Sequence, residues 1–151
     1  MKTTTTILLV GAVAAIATAA DLPKQIVPDS KFRAVEAPTA TFPELLRKAL
    51  REQDEFSRGT DTLPETLVIR AIDLNGDGSV EYIVDSRQRY SGGTAHIIFE
   101  RRRSGYESIG YFQGGIRYLA QRVNGYYQIV ARVREGSYLL RYAGGEYRPA
   151  R

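Results

Sequence analysis

Five glycine-containing pairs recur about every ten residues in the C-terminal half of this sequence: Ser104-Gly105, Gly114-Gly115, Asn124-Gly125, Glu135-Gly136 and Gly144-Gly145. Such pairs favour tight turns, because glycine and asparagine tolerate a positive φ. The runs between them are too short to contain crossover helices, so consecutive strands must pair antiparallel. The spacing therefore predicts an antiparallel meander.

The spacing of apolar residues predicts one helix before this meander. Thr41 suits a helix cap, Pro43 suits the first turn, and Glu44 follows the cap by three residues. Apolar residues at helical spacing continue to about residue 57, where Gly59 is suited to end the helix. We expect an α+β domain, with one N-terminal amphipathic helix packed on an antiparallel β-meander of about 7–8 strands. The expected strands are 66–72, 82–84, 94–101, 106–112, 115–121, 126–133, 137–142 and 146–148.

The first 19 residues have the pattern of a secretory signal peptide. Lys2 gives a positive start, an apolar run covers 7–16, and Ala17-Thr18-Ala19 is a small-residue cleavage site. The run is shorter than the roughly 20 apolar residues of a spanning helix, although an uncleaved anchor is the alternative. We expect a signal peptide at 1–19, an extended lead at 20–40 and a single domain at 41–151. The mature chain would be periplasmic or secreted, without a transmembrane segment.

The charged residues are divided unevenly, and cysteine is absent. Residues 20–85 carry 8 basic and 13 acidic side chains, whereas residues 86–151 carry 12 arginines and 4 glutamates. This division bears on partners rather than on fold. The absence of cysteine excludes disulfides, thiol catalysis and zinc–thiolate sites.

Residues 73–81 are the part of the sequence that specifies a chemistry. Oxygen-bearing side chains alternate at Asp73, Asn75 and Asp77, with Gly78 in the sixth position and Glu81 in the ninth. Three acids in one turn repel one another unless a cation neutralises them, and Ca²⁺ takes six to eight oxygen ligands. The spacing predicts a calcium site at the turn of a hairpin covering 66–85. A polar turn without metal is the alternative.

The pattern D-x-N-x-D-G-x-x-E, followed by an apolar strand, resembles the calcium loop of FG-GAP and VCBS repeats. It is also similar to single loops in small exported bacterial proteins. The resemblance implies side-chain ligands at Asp73, Asn75, Asp77 and Glu81, and a main-chain carbonyl ligand at Ser79. The twelfth position, a bidentate glutamate in helix–loop–helix sites, is Val84. The expected site is therefore structural and weak, with a dissociation constant on the order of 10⁻⁴–10⁻³ M.

No catalytic residues are predicted. His96 is the only histidine and lies in an apolar strand pattern, which favours a structural role. The sequence has no G-x-S-x-G elbow, and no carboxylate pair stands out beyond the acids of residues 73–81. An enzyme is the minority interpretation. The run Arg101-Arg102-Arg103 is typical of a solvated hairpin edge.

All ten tyrosines follow residue 80, and several adjoin arginines. Both residue types are enriched at recognition hot spots, although they also suit half-buried sheets. We predict a partner-binding face formed by Arg117, Tyr118, Arg141 and Tyr142. The chain is expected to be a non-enzymatic envelope protein with one structural calcium loop, which binds an envelope or extracellular protein or an anionic glycan. Nucleic acid is disfavoured by export. The alternatives are a periplasmic inhibitor or immunity-type protein against a cell-wall hydrolase, and a small hydrolase.

Overall fold

The architecture is mainly antiparallel β, as the turn spacing predicts. The computed structural model describes residues 33–57, 62–90 and 92–150. Their strands form a five-stranded and a four-stranded sheet, and within each sheet every strand pairs with its neighbours in sequence. The first sheet contains β1 (Val35–Pro38), β2 (Thr66–Ile72), β3 (Glu81–Tyr90), β4 (Gly93–Arg102) and β5 (Gly105–Gln113). The second sheet contains β6 (Gly115–Val123), β7 (Tyr126–Val133), β8 (Gly136–Ala143) and β9 (Glu146–Pro149).

The strands pair antiparallel as expected of a meander, but they are divided between two sheets, because the chain leaves the first sheet at Gly114. Strands β5 and β6 belong to different sheets and do not form a hairpin. Gly114 has a φ of 103°, and a Cβ atom there would lie 2.7 Å from the carbonyl carbon of Arg132. Glycine is needed for both reasons. The glycine pair at 114–115 is therefore the crossing between two sheets that pack face to face.

The helical segment is shorter and more broken than the sequence predicts. Gln53 donates its main-chain N–H to the Leu50 carbonyl at 3.1 Å, and the chain turns there instead of continuing as one helix. Thr41 does not cap, because its hydroxyl donates to the Pro38 carbonyl at 2.6 Å from within a 3-10 turn. The helices are α1 (Glu44–Arg51) and α2 (Asp54–Ser57).

Part of the lead expected at 20–40 is a strand of the first sheet. In β1, Val35 lies opposite Ile69 of β2 in antiparallel register. The expected signal peptide, the lead up to residue 32 and the helix end at Gly59 lie outside the described residues.

Both faces of the first sheet are covered, so it separates two apolar cores. On one face, Ile97 and Phe99 of β4 pack against the two helices. The alternate residue Ile98 faces the second sheet, and it shares that core with residues of every strand from β2 to β9. The same alternation places His96 and Glu100 on the inner face, on either side of Ile98, where both are buried. Within the described ranges, no helix is long and apolar enough to span a bilayer.

Candidate functional site: the acidic loop and the second sheet

The acidic loop, defined as residues 73–81, joins β2 to β3 and is shaped by its own side chains. The carboxylate of Asp73 accepts main-chain N–H bonds from Gly76 at 2.6 Å, Asp77 at 3.2 Å and Gly78 at 3.1 Å. Side-chain oxygens that accept from nearby amides hold such a turn closed. Gly76 and Gly78 both have a positive φ, of 77° and 86°. Asp73, the first acid of the loop, is therefore the acceptor around which the loop backbone folds.

The five predicted calcium ligands all lie on this loop, but they do not form a closed cage. Asn75 donates its side-chain amide to Asp77 at 3.0 Å, and the Ser79 amide donates to Asp77 at 2.7 Å. Glu81 is only 1% exposed, and it accepts the Leu74 amide at 2.7 Å. Over the part of the chain that the structure describes, no three His, Cys, Asp or Glu side chains are grouped to hold a metal ion. Calcium binding therefore requires the carboxylates of the loop to move closer together.

Glu81 lies in an environment that disfavours its negative charge. Its pKa is raised to about 7, chiefly because burial removes the carboxylate from water. The neighbouring charges of Glu100, Asp77 and Asp73 act in the same direction, whereas the hydrogen bond from Leu74 opposes them. A nearby cation would stabilise the ionised form. The residues present therefore fit the charge, and the oxygen preference, of a calcium ion.

A tyrosine cluster, formed by Tyr126, Tyr142 and Tyr147, lies against this loop. Tyr126 stacks on Tyr142 with ring centroids 3.7 Å apart, and its hydroxyl donates to the buried carboxylate of Glu100. The same hydroxyl accepts the side-chain amide of Asn75 at 3.3 Å. Sequence reasoning missed this contact. The signal for it was an acid, Glu100, directly after the apolar run Ile97-Ile98-Phe99.

The two tyrosines of the predicted partner face point towards the core, and only Tyr118 is fully buried there. Tyr118 is 1% exposed and packs in the core between the sheets, and Tyr142 is half-buried in the tyrosine cluster. Neighbouring residues on a strand point to opposite sides, so each tyrosine faces inward where the adjoining arginine faces out. Arg117 and Arg141 are exposed on the outer side of the second sheet, where Arg148 lies opposite Arg141. These three residues are called the arginine face.

His96 has a structural environment, as expected, but with two partners that the sequence did not indicate. Its Nδ1 lies 2.6 Å from an oxygen of Asp85, and its Nε2 lies 2.7 Å from the Gly114 carbonyl. Arg70 donates to the same Asp85 oxygen at 2.6 Å. Both ring nitrogens are therefore occupied, which supports a structural role for the histidine.

No protein-family model matches this chain, and no curated protein or solved structure matches it significantly. The candidate residues are therefore those that the geometry brings together: the acidic loop with Glu100 and Tyr126, and the arginine face.

Proposed function

We propose that this protein is an exported, non-enzymatic binding protein of the bacterial cell envelope. One calcium ion closes the acidic loop, and the arginine face contacts an anionic partner, which is a glycan or an acidic surface of an envelope or extracellular protein. The observation that carries the proposal is the acidic loop itself, in which Asp73 and Asp77 accept main-chain hydrogen bonds within one turn and their charges help to raise the pKa of the buried Glu81 carboxylate. The signal-peptide pattern at 1–19 supports delivery to the periplasm or the exterior.

The role of the calcium is structural. The acidic loop is joined to the second sheet through Asn75 and Tyr126, and an ion that orders the loop also orders this junction. Asp73, Asn75, Asp77 and Glu81 would hold the ion with the Ser79 carbonyl, and the ion would supply the positive charge that the buried acids lack. Without a bidentate twelfth ligand, affinity in the weak extracellular range is expected.

The partner contact rests on the charge of the arginine face. Leu119 and Val130 lie on the same side of the sheet but are buried, so the charged groups exposed there include the three arginines and Glu146 beside Arg148. Among the described residues, Arg117 has no ion-pair partner, whereas Arg148 lies 2.6 Å from Glu146. Arginine binds carboxylates, sulfates and phosphates through parallel hydrogen bonds.

Calorimetric titration with calcium, combined with thermal melting, tests the calcium site. A ligand that binds only the folded state at ten times its dissociation constant stabilises it by about 1.4 kcal/mol, or roughly 3–5 °C in a domain of this size. We expect this shift at millimolar calcium, a smaller one with magnesium, and none in Asp77→Ala. The control Glu65→Gln removes an exposed acid outside the loop and should respond as the wild type does. Absence of both heat and melting shift in the wild type would overturn the proposal.

A further inference from the structure

A cavity of about 400 Å³ lies between the two sheets, at the end of β4 remote from the acidic loop. Its floor is formed by Arg70, Asp85 and His96, and its rim includes Arg132 and Arg134. Along β4, His96 of the cavity lies four residues before Glu100, which is next to the acidic loop, and this separation is about 13 Å at roughly 3.3 Å per residue. The cavity is therefore a place distinct from the proposed calcium site.

The floor of the cavity is charged and firmly held. Arg70 and His96 both contact one oxygen of Asp85, each at 2.6 Å, and the guanidinium of Arg70 offsets the negative charge of this aspartate. Arg70 is mostly buried, and among the described residues its guanidinium makes only the hydrogen bond to Asp85. Its remaining N–H groups are donors in a fixed fork, which matches the oxygens of a carboxylate or phosphate.

The walls of the cavity leave room because they are made partly of glycine backbone. Gly92 and Gly93 lie on one side, and Gly114 and Gly115 lie on the other. A Cβ atom on Gly93 would lie 3.2 Å from the Cα of Gly114, so even an alanine would crowd the gap. The rim arginines are exposed, and within the described residues neither of them takes part in an ion pair.

We propose that this cavity binds a small anion bearing a carboxylate, phosphate or sulfate group. Arg70 contacts the anion from the floor, and Arg132 and Arg134 contribute positive charge at the rim. The lining holds three arginines and one aspartate, so positive charge exceeds negative charge there and the cavity favours a negative ligand. Its volume lies at the small end of ligand sites, which run from roughly 300 to 1,000 Å³.

Nuclear magnetic resonance titration of the ¹⁵N-labelled protein tests the proposal, with inorganic phosphate, sulfate and acetate as separate probes. We expect saturable shifts of the amides of the four lining glycines with at least one probe, and the probe that saturates identifies the anionic group. Arg134→Gln should weaken that binding at least tenfold, and Arg70→Gln should abolish it. The matched control Arg103→Gln removes the same charge from the exposed turn at the other end of β4 and should leave binding unchanged.

Two results would overturn the proposal. One is the absence of saturable glycine shifts with all three anions. The other is equal weakening by Arg134→Gln and Arg103→Gln, which would mean that the anions only screen the surface charge. If Arg70→Gln does not fold, the comparison of the two exposed arginines still decides the matter. Repeating the titration with sulfate and acetate, with and without calcium, separates this site from the acidic loop.

Discussion

The main-chain amide of Tyr127 donates a hydrogen bond of 2.9 Å to the carbonyl oxygen of Leu74. This bond joins the acidic loop of the first sheet to β7 of the second, and the Leu74 side chain is buried in the core between the sheets. The loop is therefore part of the sheet-to-sheet contact. Any event that orders the loop acts on both sheets.

Tyr126→Phe should destabilise the protein and weaken calcium binding together. The change removes the hydroxyl that donates to the buried Glu100 and accepts from Asn75, and the loss of such a bond costs about 1–3 kcal/mol. Urea unfolding measures the first effect and calorimetry the second. Tyr111→Phe, at an exposed tyrosine, is the control. Identical midpoints for the two variants would show that the Tyr126 hydroxyl does not support Glu100.

Glu81→Gln should change the pH dependence of stability in the presence of chelator. Because the pKa of Glu81 is raised from 4.5 to about 7 on folding, the folded state holds its proton more tightly. The wild type therefore loses stability as the pH rises from 4.5 to 7, by about 1–3 kcal/mol for a shift of this size.

The difference between wild type and Glu81→Gln isolates this effect when both are unfolded in urea at pH 5 and pH 8. The glutamine variant should be the more stable of the two at pH 8 without calcium, and calcium should stabilise only the wild type. A difference that does not vary with pH would contradict the assignment.

Gly114→Ala should be much more damaging than Gly125→Ala. Both glycines have a positive φ, of 103° and 86°, so both substitutions carry the backbone strain of a left-handed alanine, about 1–2 kcal/mol. Only Gly114 is packed against the Arg132 carbonyl, and nothing lies within 4 Å of a Cβ on Gly125. The clash should add about 1–3 kcal/mol, measured as the difference between the two melting midpoints. Equal costs would mean that the crossing between the sheets can relax.

The single variants Arg117→Ala and Arg141→Ala should each elute from immobilised heparin, a sulfated glycan, at a lower salt concentration than the wild type. Arg117 makes no ion pair within the described residues, and Arg141 donates only to Gln128, at 3.0 Å, so neither change should unfold the domain. Arg103→Ala at an exposed turn is the control for net charge. If all three variants elute alike, the arginine face is not the contact surface for such a glycan.

The strands could largely be predicted from the sequence, because their local patterns agree with the fold. The runs at 66–72 and 126–133 have the bounds of β2 and β7, since alternating or β-branched residues end there at turn-forming residues. The position of the acidic loop between two strands also follows from its own residues. The predicted calcium ligands of this loop do not surround a common point as a cage. The spacing of residues along the sequence does not determine that arrangement.

The division into two sheets could not be predicted, because Gly114-Gly115 and Asn124-Gly125 look alike as turn signals. One pair is a crossing and the other a hairpin, and the difference lies in the packing of Gly114 against Arg132. The inward direction of Tyr118 was predictable in principle from strand alternation with Arg117. The contact of Tyr126 with Glu100 is long-range and depends on how the sheets stack.

Each sheet is built from one continuous part of the chain, residues 35–113 for the first and 115–149 for the second. During synthesis, the whole first sheet emerges before any strand of the second exists. Its inner face, with Ile72, Ile83 and Ile98, is then bare apolar surface of the kind that self-associates. The second sheet therefore covers the apolar inner face of the first sheet only after its own strands have been synthesised. A chain cut short before residue 115 would be an aggregating fragment rather than a smaller folded protein.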